Sequence, residues 1–261
     1  MAGCVFAEDE ARLLLSAAPD PAALDGMVDQ RVAGVPLEYV LGWAEFCGLR
    51  IAVDTAVFVP RRRTEFLVRE AAELLRAAAG QSGPAGDPAA RTPVVLDMCC
   101  GSGAIGAVLA AIVGDIELYA TDVDPAAVRC ARRNVEAAGG RVFQGDLFEP
   151  LPATLRGGVD ILAANAPYVP TEAIGMMPPE ARLYERLVAL DGGADGLDVV
   201  RRVAAQARDW LAPGGHLLVE ANERQAPSAA ESFARNGLTP RVASAEEFGA
   251  TVVIGTVIGA L

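Results

Sequence analysis

Four consecutive residues, Asn165-Ala166-Pro167-Tyr168, combine a carboxamide, a main-chain carbonyl, a rigid turn and an aromatic ring. That set suits a planar amide or an exocyclic amine, whose nitrogen is a poor nucleophile because its lone pair is delocalised. The Asn165 side-chain oxygen and the Ala166 carbonyl can accept both N–H groups of such a nitrogen and turn its lone pair toward an electrophile. Tyr168 can lie flat against the planar group, and Pro167 stiffens the turn. A second set stands upstream, where Asp97-Met-Cys-Cys-Gly101-Ser-Gly103-Ala-Ile-Gly106 contains G-x-G-x-x-G. Its glycines let a ligand approach the backbone, and a helix starting there offers unpaired N–H groups to an anion. Asp122, at the end of the next apolar run, can accept hydrogen bonds from ribose hydroxyls. A nicotinamide dinucleotide and S-adenosylmethionine (SAM) would both use these parts. Structural roles also stand open: Asp97 as a turn cap, Asp122 and Asp124 as helix starts, Cys99 and Cys100 as packing residues, Asn165 as an Asx-turn.

The elements that must carry these residues are legible as short apolar runs at 94–97, 116–120, 141–144, 159–164 and 215–220, separated by helical patterns. That alternation is the signature of a parallel sheet with crossover helices, an α/β fold of the doubly wound type. The helix after the second run is punctuated at both ends. Asp124 caps it, Pro125 fits its first turn, Val128, Ala131 and Val135 share a face, and Gly139 terminates it. Segments 239–242 and 250–254 are expected as an antiparallel pair at the sheet's far edge. A stretch rich in Gly, Pro and Ser at 80–88 marks a seam. Before it the sequence predicts a helix from Asp20-Pro21 to about Arg31, two short strands at 46–53 and 56–59, and a helix after Thr64. The expected organisation is a small, mainly helical substrate-recognition domain with a short hairpin at 1–80, a linker at 81–92 and the α/β domain at 93–261.

Composition excludes several chemistries. The 261 residues carry 22 basic against 34 acidic side chains, a net charge of −12, and every one of the 22 bases is arginine. Without lysine there is no Schiff base, no Walker-type phosphate lysine and no kinase lysine. The acidic balance disfavours broad nucleic-acid binding. The single histidine, His216, falls in a strand pattern, and any Ser-His-Asp or Cys-His mechanism would have to use it. The five cysteines lack C-x-x-C spacing, so no metal site is expected and the thiols read as reduced. Glu8, Asp9 and Glu10 stand where a signal peptide would be apolar, and no apolar run approaches the ~20 residues that span a bilayer. A cytoplasmic protein without membrane contact is the expectation.

Asp97 followed by x-x-x-Gly-x-Gly resembles the first motif of class I SAM-dependent methyltransferases. Gly145-Asp146-Leu147-Phe148 supplies a second acid where those enzymes hold the adenine amine, and Asn-Ala-Pro-Tyr resembles the N-P-P-Y motif of amino-methylating SAM enzymes. Further pieces follow in order: Pro36-Leu-Glu-Tyr-Val-Leu-Gly42, Glu45-Phe-Cys-Gly-Leu49, Val59-Pro-Arg61, Thr64-Glu65, Tyr184-Glu185, Ala189-Leu190, Gly192-Gly-Ala-Asp-Gly-Leu197, Pro213-Gly-Gly215, and Glu220 with Gln225. Together they resemble the HemK-type protein-(glutamine-N5) methyltransferases that modify peptide-chain release factors. The resemblance implies a class I methyltransferase fold, Rossmann-like, with a mostly parallel seven-stranded sheet and an antiparallel edge. It implies SAM as cofactor, held by Asp97, Cys99, Cys100, Gly101, Ser102, Gly103, Asp122, Asp146, Leu147 and Asn165. It assigns Asn165, Ala166, Pro167 and Tyr168 to catalysis, receiving a glutamine side chain presented on an exposed loop of a protein such as a release factor. The chain departs from the family at Pro60-Arg-Arg-Arg-Thr-Glu65, where the family has P-R-P-E-T-E, at Glu185-Arg186 in place of an acid–proline pair, and in a shorter front segment. The run from Arg61 to Arg63 reads either as a solvated approach to the helix or as a docking point for an acidic partner. The alternatives are a methyltransferase of an exocyclic amine in nucleic acid and a nicotinamide-binding oxidoreductase.

Overall fold

The computed structural model describes residues 6–81 and 91–258. Most of the expected linker, at 82–90, lies outside the described residues. The chain opens with α1 (Ala7–Ala17) and α2 (Pro21–Val32). Asp20 caps α2 as expected, its Oδ1 accepting the Ala23 N–H at 2.8 Å with Pro21 in the first turn. α3 (Leu37–Leu41) leads into an antiparallel hairpin of β1 (Trp43–Phe46) and β2 (Leu49–Ala52). This corrects the strands expected at 46–53 and 56–59. Cys47 (φ 50°) and Gly48 (φ 75°) form a tight turn in the middle of what reads as one apolar run, a two-residue loop with both φ values positive. Residues 56–59 form no strand; Val57 and Val59 are buried against Ala44, Val53 and Cys130.

α4 (Thr64–Gln81) follows, amphipathic as its spacing predicts. The expected 1–80 segment contains most of this helix, yet Phe66, Leu67, Ala71 and Leu75 share one apolar core with Val95, Ile161, Ala163 and Leu218 of the sheet. The remaining elements alternate as expected: β3 (Val94–Met98), α5 (Ala104–Val113), β4 (Glu117–Asp122), α6 (Pro125–Val135), β5 (Arg141–Gln144) and β6 (Val159–Ala164). Then come α7 (Pro179–Tyr184), α8 (Leu187–Leu190), α9 (Asp198–Trp210), β7 (Leu211–Ala221), α10 (Ala226–Arg235), β8 (Thr239–Ala245) and β9 (Ala250–Thr256). Asp124 caps α6 through the Ala126 N–H, and Gly139 ends the following turn at φ 67°.

The seven-stranded sheet has the order β5-β4-β3-β6-β7-β9-β8, parallel from β5 to β7, with β9 antiparallel to both β7 and β8. The antiparallel far edge is therefore present where the sequence placed it. Side chains alternate between two cores. Leu162, Leu217 and Val219 face α9 and α10, while Ile161, Ala163 and Leu218 face α4 and α5. Because β4 and β6 lie on opposite sides of β3, the chain reverses its direction of travel across the sheet there. Open α/β sheets place their ligands in the crevice this leaves at the carboxyl ends of the strands. No helix among the described residues is long and apolar enough to cross a membrane, and no acidic, histidine and cysteine cluster among them could hold a metal ion.

Candidate active site

Register sets the site. Met98 pairs with Thr121 on one side and Ala164 on the other. Cys99, Asp122 and Asn165 consequently leave the sheet at one level, and Gln144, paired with Asp122, brings Gly145-Asp146-Leu147 to the same edge. A cavity of about 680 Å³ lies over this edge, within the size range of ligand pockets. It is bordered by Cys99, Cys100, Gly101, Ser102, Asp122, Asp146, Leu147 and all four residues from Asn165 to Tyr168.

Asp97 and Gly103, named with that group from sequence, lie elsewhere. Asp97 is fully buried beneath the loop, where its Oδ2 accepts the Gly106 N–H at 2.9 Å and its Oδ1 has no partner. Burial pushes this carboxyl up to about 8, against the Gly106 hydrogen bond that pulls it down. Gly103 (φ 75°) faces α6, and a side chain there would press on Ala131 and Val135 at 3.1–3.2 Å. Gly101 (φ 54°) is open on its free side, with Phe58 at 3.9 Å as its nearest neighbour. Asp122 braces the turn, accepting the Gly101 N–H and the Asp124 N–H, each at 2.9 Å. Burial raises its proton affinity, and those two N–H groups oppose the rise. Cys99 and Cys100 have strongly raised thiol pKa values, burial first and the neighbouring aspartates second, so both are neutral and inert. Asp146 is ion-paired with Arg202 of α9, which also borders the cavity.

The tetrapeptide is held from three directions. Gln225 donates to the Tyr168 carbonyl at 2.9 Å and to the Asp195 carbonyl at 3.0 Å. Gly192 and Gly196 pack so closely on the Pro167 and Tyr168 carbonyls that neither position has room for a side chain. Asn165 Nδ2 donates to Thr64 Oγ1 at 3.3 Å, and Thr64 in turn donates to Glu220 Oε2 at 2.6 Å. Glu220, 2% exposed, also receives the Tyr168 hydroxyl at 3.1 Å and Arg63 Nε at 2.8 Å. Burial and the Glu220 charge push the Tyr168 phenol up, leaving it a neutral donor. Ala166 is 1% exposed, and among the described residues no hydrogen bond reaches its carbonyl or Asn165 Oδ1.

Two of the three consecutive arginines are engaged within the chain. Arg61 is paired with Glu185, whose Oε1 also accepts the Val59 N–H, and Arg63 is paired with Glu220. Both guanidiniums stay partly exposed while pairing with nearly buried glutamates, and so tie the loop before α4 to the walls of the cavity. Asn134 of α6 makes a second tie, accepting the Ala52 N–H at 2.9 Å while donating to the Ala52 carbonyl at 2.9 Å and the Ser102 carbonyl at 2.7 Å. Reading the sequence did not give Thr64, Arg63, Glu220, Asn134 or Arg202 a site role. Thr64, Glu220 and Gln225 carried a signal only as pieces of the family resemblance.

Comparison with known proteins identifies the fold and the family. The methyltransferase small domain family matches residues 87–177. A release factor glutamine methyltransferase of Geobacter sulfurreducens is 38% identical over 240 residues, 91% of this chain and 78% of that protein. One from Mycolicibacterium smegmatis is 34% identical over 88% of this chain and 78% of that protein. The 4-amino-L-phenylalanine/4-methylamino-L-phenylalanine methyltransferase of Streptomyces pristinaespiralis is 34% identical over 85% of this chain and 73% of that protein. Among solved structures, the hMettl16 catalytic domain bound to an RNA hairpin superposes with a TM-score of 0.56 over 80% of this chain and 76% of that one, at 15% identity, a likeness of fold. The sheet is that of a class I SAM-dependent methyltransferase, and by identity and coverage the chain belongs to the release factor glutamine methyltransferase family.

Proposed function

We propose that this protein transfers a methyl group from SAM to the side-chain amide nitrogen of a glutamine carried on an exposed loop of a peptide-chain release factor. The observation that carries the reading is the pair of unengaged oxygens, Asn165 Oδ1 and the Ala166 carbonyl, at the border of the cavity and next to the glycine loop. The residues present fit SAM. α5 has no side-chain cap from Gly103, and with the Gly106 N–H taken by Asp97 its free first-turn N–H groups at Ala104 and Ile105 suit a carboxylate. Asp122 faces the cavity for ribose hydroxyls, and Val123, Leu147 and Val199 give apolar walls for a purine. When bound, SAM supplies a methyl carbon made electrophilic by its sulfonium.

The chain's own part is positioning. Asn165 and Ala166 accept the two glutamine N–H groups and so aim the nitrogen lone pair, while Tyr168 covers the amide plane. A strong base has no role, because the proton on nitrogen becomes acidic once the methyl is attached. The front segment, 1–80, takes part in recognising the protein substrate. The free cysteines among the described residues, Cys47, Cys99, Cys100 and Cys130, accord with a reducing cytoplasm. The Streptomyces pristinaespiralis relative favours a second acceptor class, a free arylamine. The net charge of −12 weighs against nucleic acid.

Incubation with deuterated-methyl SAM and, in parallel, a release factor, an aminophenylalanine and an oligonucleotide separates these acceptors by mass spectrometry. Labelled glutamine in the release factor is the expected result, and label confined to another acceptor overturns it. Asn165→Ala should lower turnover by about 10²- to 10³-fold, the usual scale for one oriented transition-state contact, with SAM affinity falling far less.

A further inference from the structure

We propose that Glu220, acting through Thr64, is the residue that decides which way the Asn165 amide faces, an inference that rests on the glutamine-methylating reading above. A carboxamide has two nearly isosteric orientations, exchanging its oxygen and nitrogen, and only one presents an acceptor to the substrate. The choice is made by hydrogen counting. Thr64 has one hydroxyl hydrogen, and Glu220 Oε2 takes it at 2.6 Å. Glu220 cannot return a donor: its carboxylate is paired with Arg63 and its Oε1 already accepts from Tyr168. Thr64 Oγ1 therefore faces Asn165 with lone pairs alone, and Nδ2 must turn toward it, as observed at 3.3 Å. Oδ1 is then directed away from Thr64 and free to meet an N–H group of the substrate.

The three partners arrive from distant parts of the chain, Thr64 at the start of α4, Tyr168 after β6 and Glu220 near the end of β7. Glu220 does not border the cavity, so it acts on the acceptor only through its neighbours. A glutamine at 220 would offer an N–H to Thr64 Oγ1, release the Thr64 hydrogen toward Asn165 Oδ1 and favour the reversed amide. Substrate N–H would then meet Asn165 N–H.

The test uses the full chain with Glu220→Gln, Thr64→Val and Thr64→Ser. Three properties are measured: turnover and KM on release factor, SAM affinity by calorimetry, and the Asn165 side-chain N–H signals by NMR, assigned through Asn165→Asp. Glu220→Gln and Thr64→Val should each lower kcat about tenfold, the effect of one lost orienting hydrogen bond. SAM affinity should stay within about twofold of wild type on the same grounds, since the network touches no proposed SAM contact except Asn165. The Asn165 N–H signals should move in both variants, and Thr64→Ser, which keeps the hydroxyl, should restore turnover and signals alike. Wild-type turnover in Thr64→Val, unmoved Asn165 signals, or equal losses in Thr64→Ser and Thr64→Val would each overturn the proposal. If the wild-type enzyme leaves release factor unmethylated, the substrate reading falls, while the NMR comparison still judges Glu220 and Thr64 on their own.

Discussion

A single added methyl group at position 196 asks whether the 192–196 loop holds the acceptor turn in place. Gly196 has φ 78°, and a Cβ built on it would collide with the Tyr168 carbonyl oxygen and Gln225 Nε2 and lie 2.9 Å from the Tyr168 carbonyl carbon. Carbon atoms rest about 3.5–4.0 Å apart, so the Tyr168 backbone must retreat by at least roughly 0.6 Å. The Gln225–Tyr168 hydrogen bond at 2.9 Å occupies the same space and should be lost. Left-handed strain of about 1–2 kcal/mol and a hydrogen bond worth about 1 kcal/mol together give a destabilisation of about 2–3 kcal/mol. For a chain of this size that lowers Tm by about 4–12 °C. Turnover should suffer more than the fold, since a displacement on the order of 1 Å at a reacting centre costs about 10²-fold. Gly157→Ala is the control: it shares the left-handed backbone (φ 67°) but meets nothing within 4 Å. Its expected signature is a small fall in Tm with unchanged turnover. Calorimetric melting, SAM titration and label transfer to release factor read all three quantities. Equal kcat in Gly196→Ala and Gly157→Ala would refute the argument that this loop positions the acceptor.

Asp97→Asn should flatten the pH dependence of stability. Folding raises this carboxyl from 3.8 to about 8, so its contribution is complete below the lower value and is lost as pH climbs through the upper one. Wild type should therefore lose stability relative to the variant between about pH 4 and 8, by at most about 1.4 kcal/mol per unit; parallel urea-unfolding profiles would contradict it. Ala166→Pro restores the family's second position where, among the described residues, the backbone N–H makes no hydrogen bond. Stability should rise by about 0.4–1 kcal/mol with turnover retained, and a drop in Tm would show that the turn depends on a non-proline geometry. Iodoacetamide mapped by mass spectrometry should leave Cys99 and Cys100 unmodified in the folded protein at mildly alkaline pH, because both thiols stay protonated; prompt labelling of either would show a thiolate at the loop.

What the sequence discloses is local. Asp20 and Asp124 announce their helices because a cap is a contact between near neighbours, and the run 159–164 announces a buried strand because all of it but Asp160 is apolar. Asn165 and Asp122 border the cavity because strand ends in such a fold lie at one edge. The failures share a cause. The hairpin turn is hidden in the sequence because Cys47-Gly48 lacks the Asn-Gly signal of its turn type, and Cys47 adopts a conformation its residue type seldom chooses. The pairing of the partly exposed Arg61 and Arg63 escapes a reading of the charge run because their partners Glu185 and Glu220 lie more than a hundred residues away. Asp97 stands in the sequence both as a SAM contact and as a turn cap, and only the fold shows its buried carboxyl beneath the loop, taking the Gly106 N–H. The site is built from long-range polar pairs, and those leave no periodicity to read.

Asn134 grips the hairpin and the glycine loop with one carboxamide, through Ala52 and Ser102. Neither can shift without disturbing the other. Were a macromolecule to press on the hairpin, the Asn134 bonds would pass the disturbance to the glycine loop, and so to any small molecule seated there. By thermodynamic reciprocity the small molecule, once seated, would alter the grip on the macromolecule by the same factor.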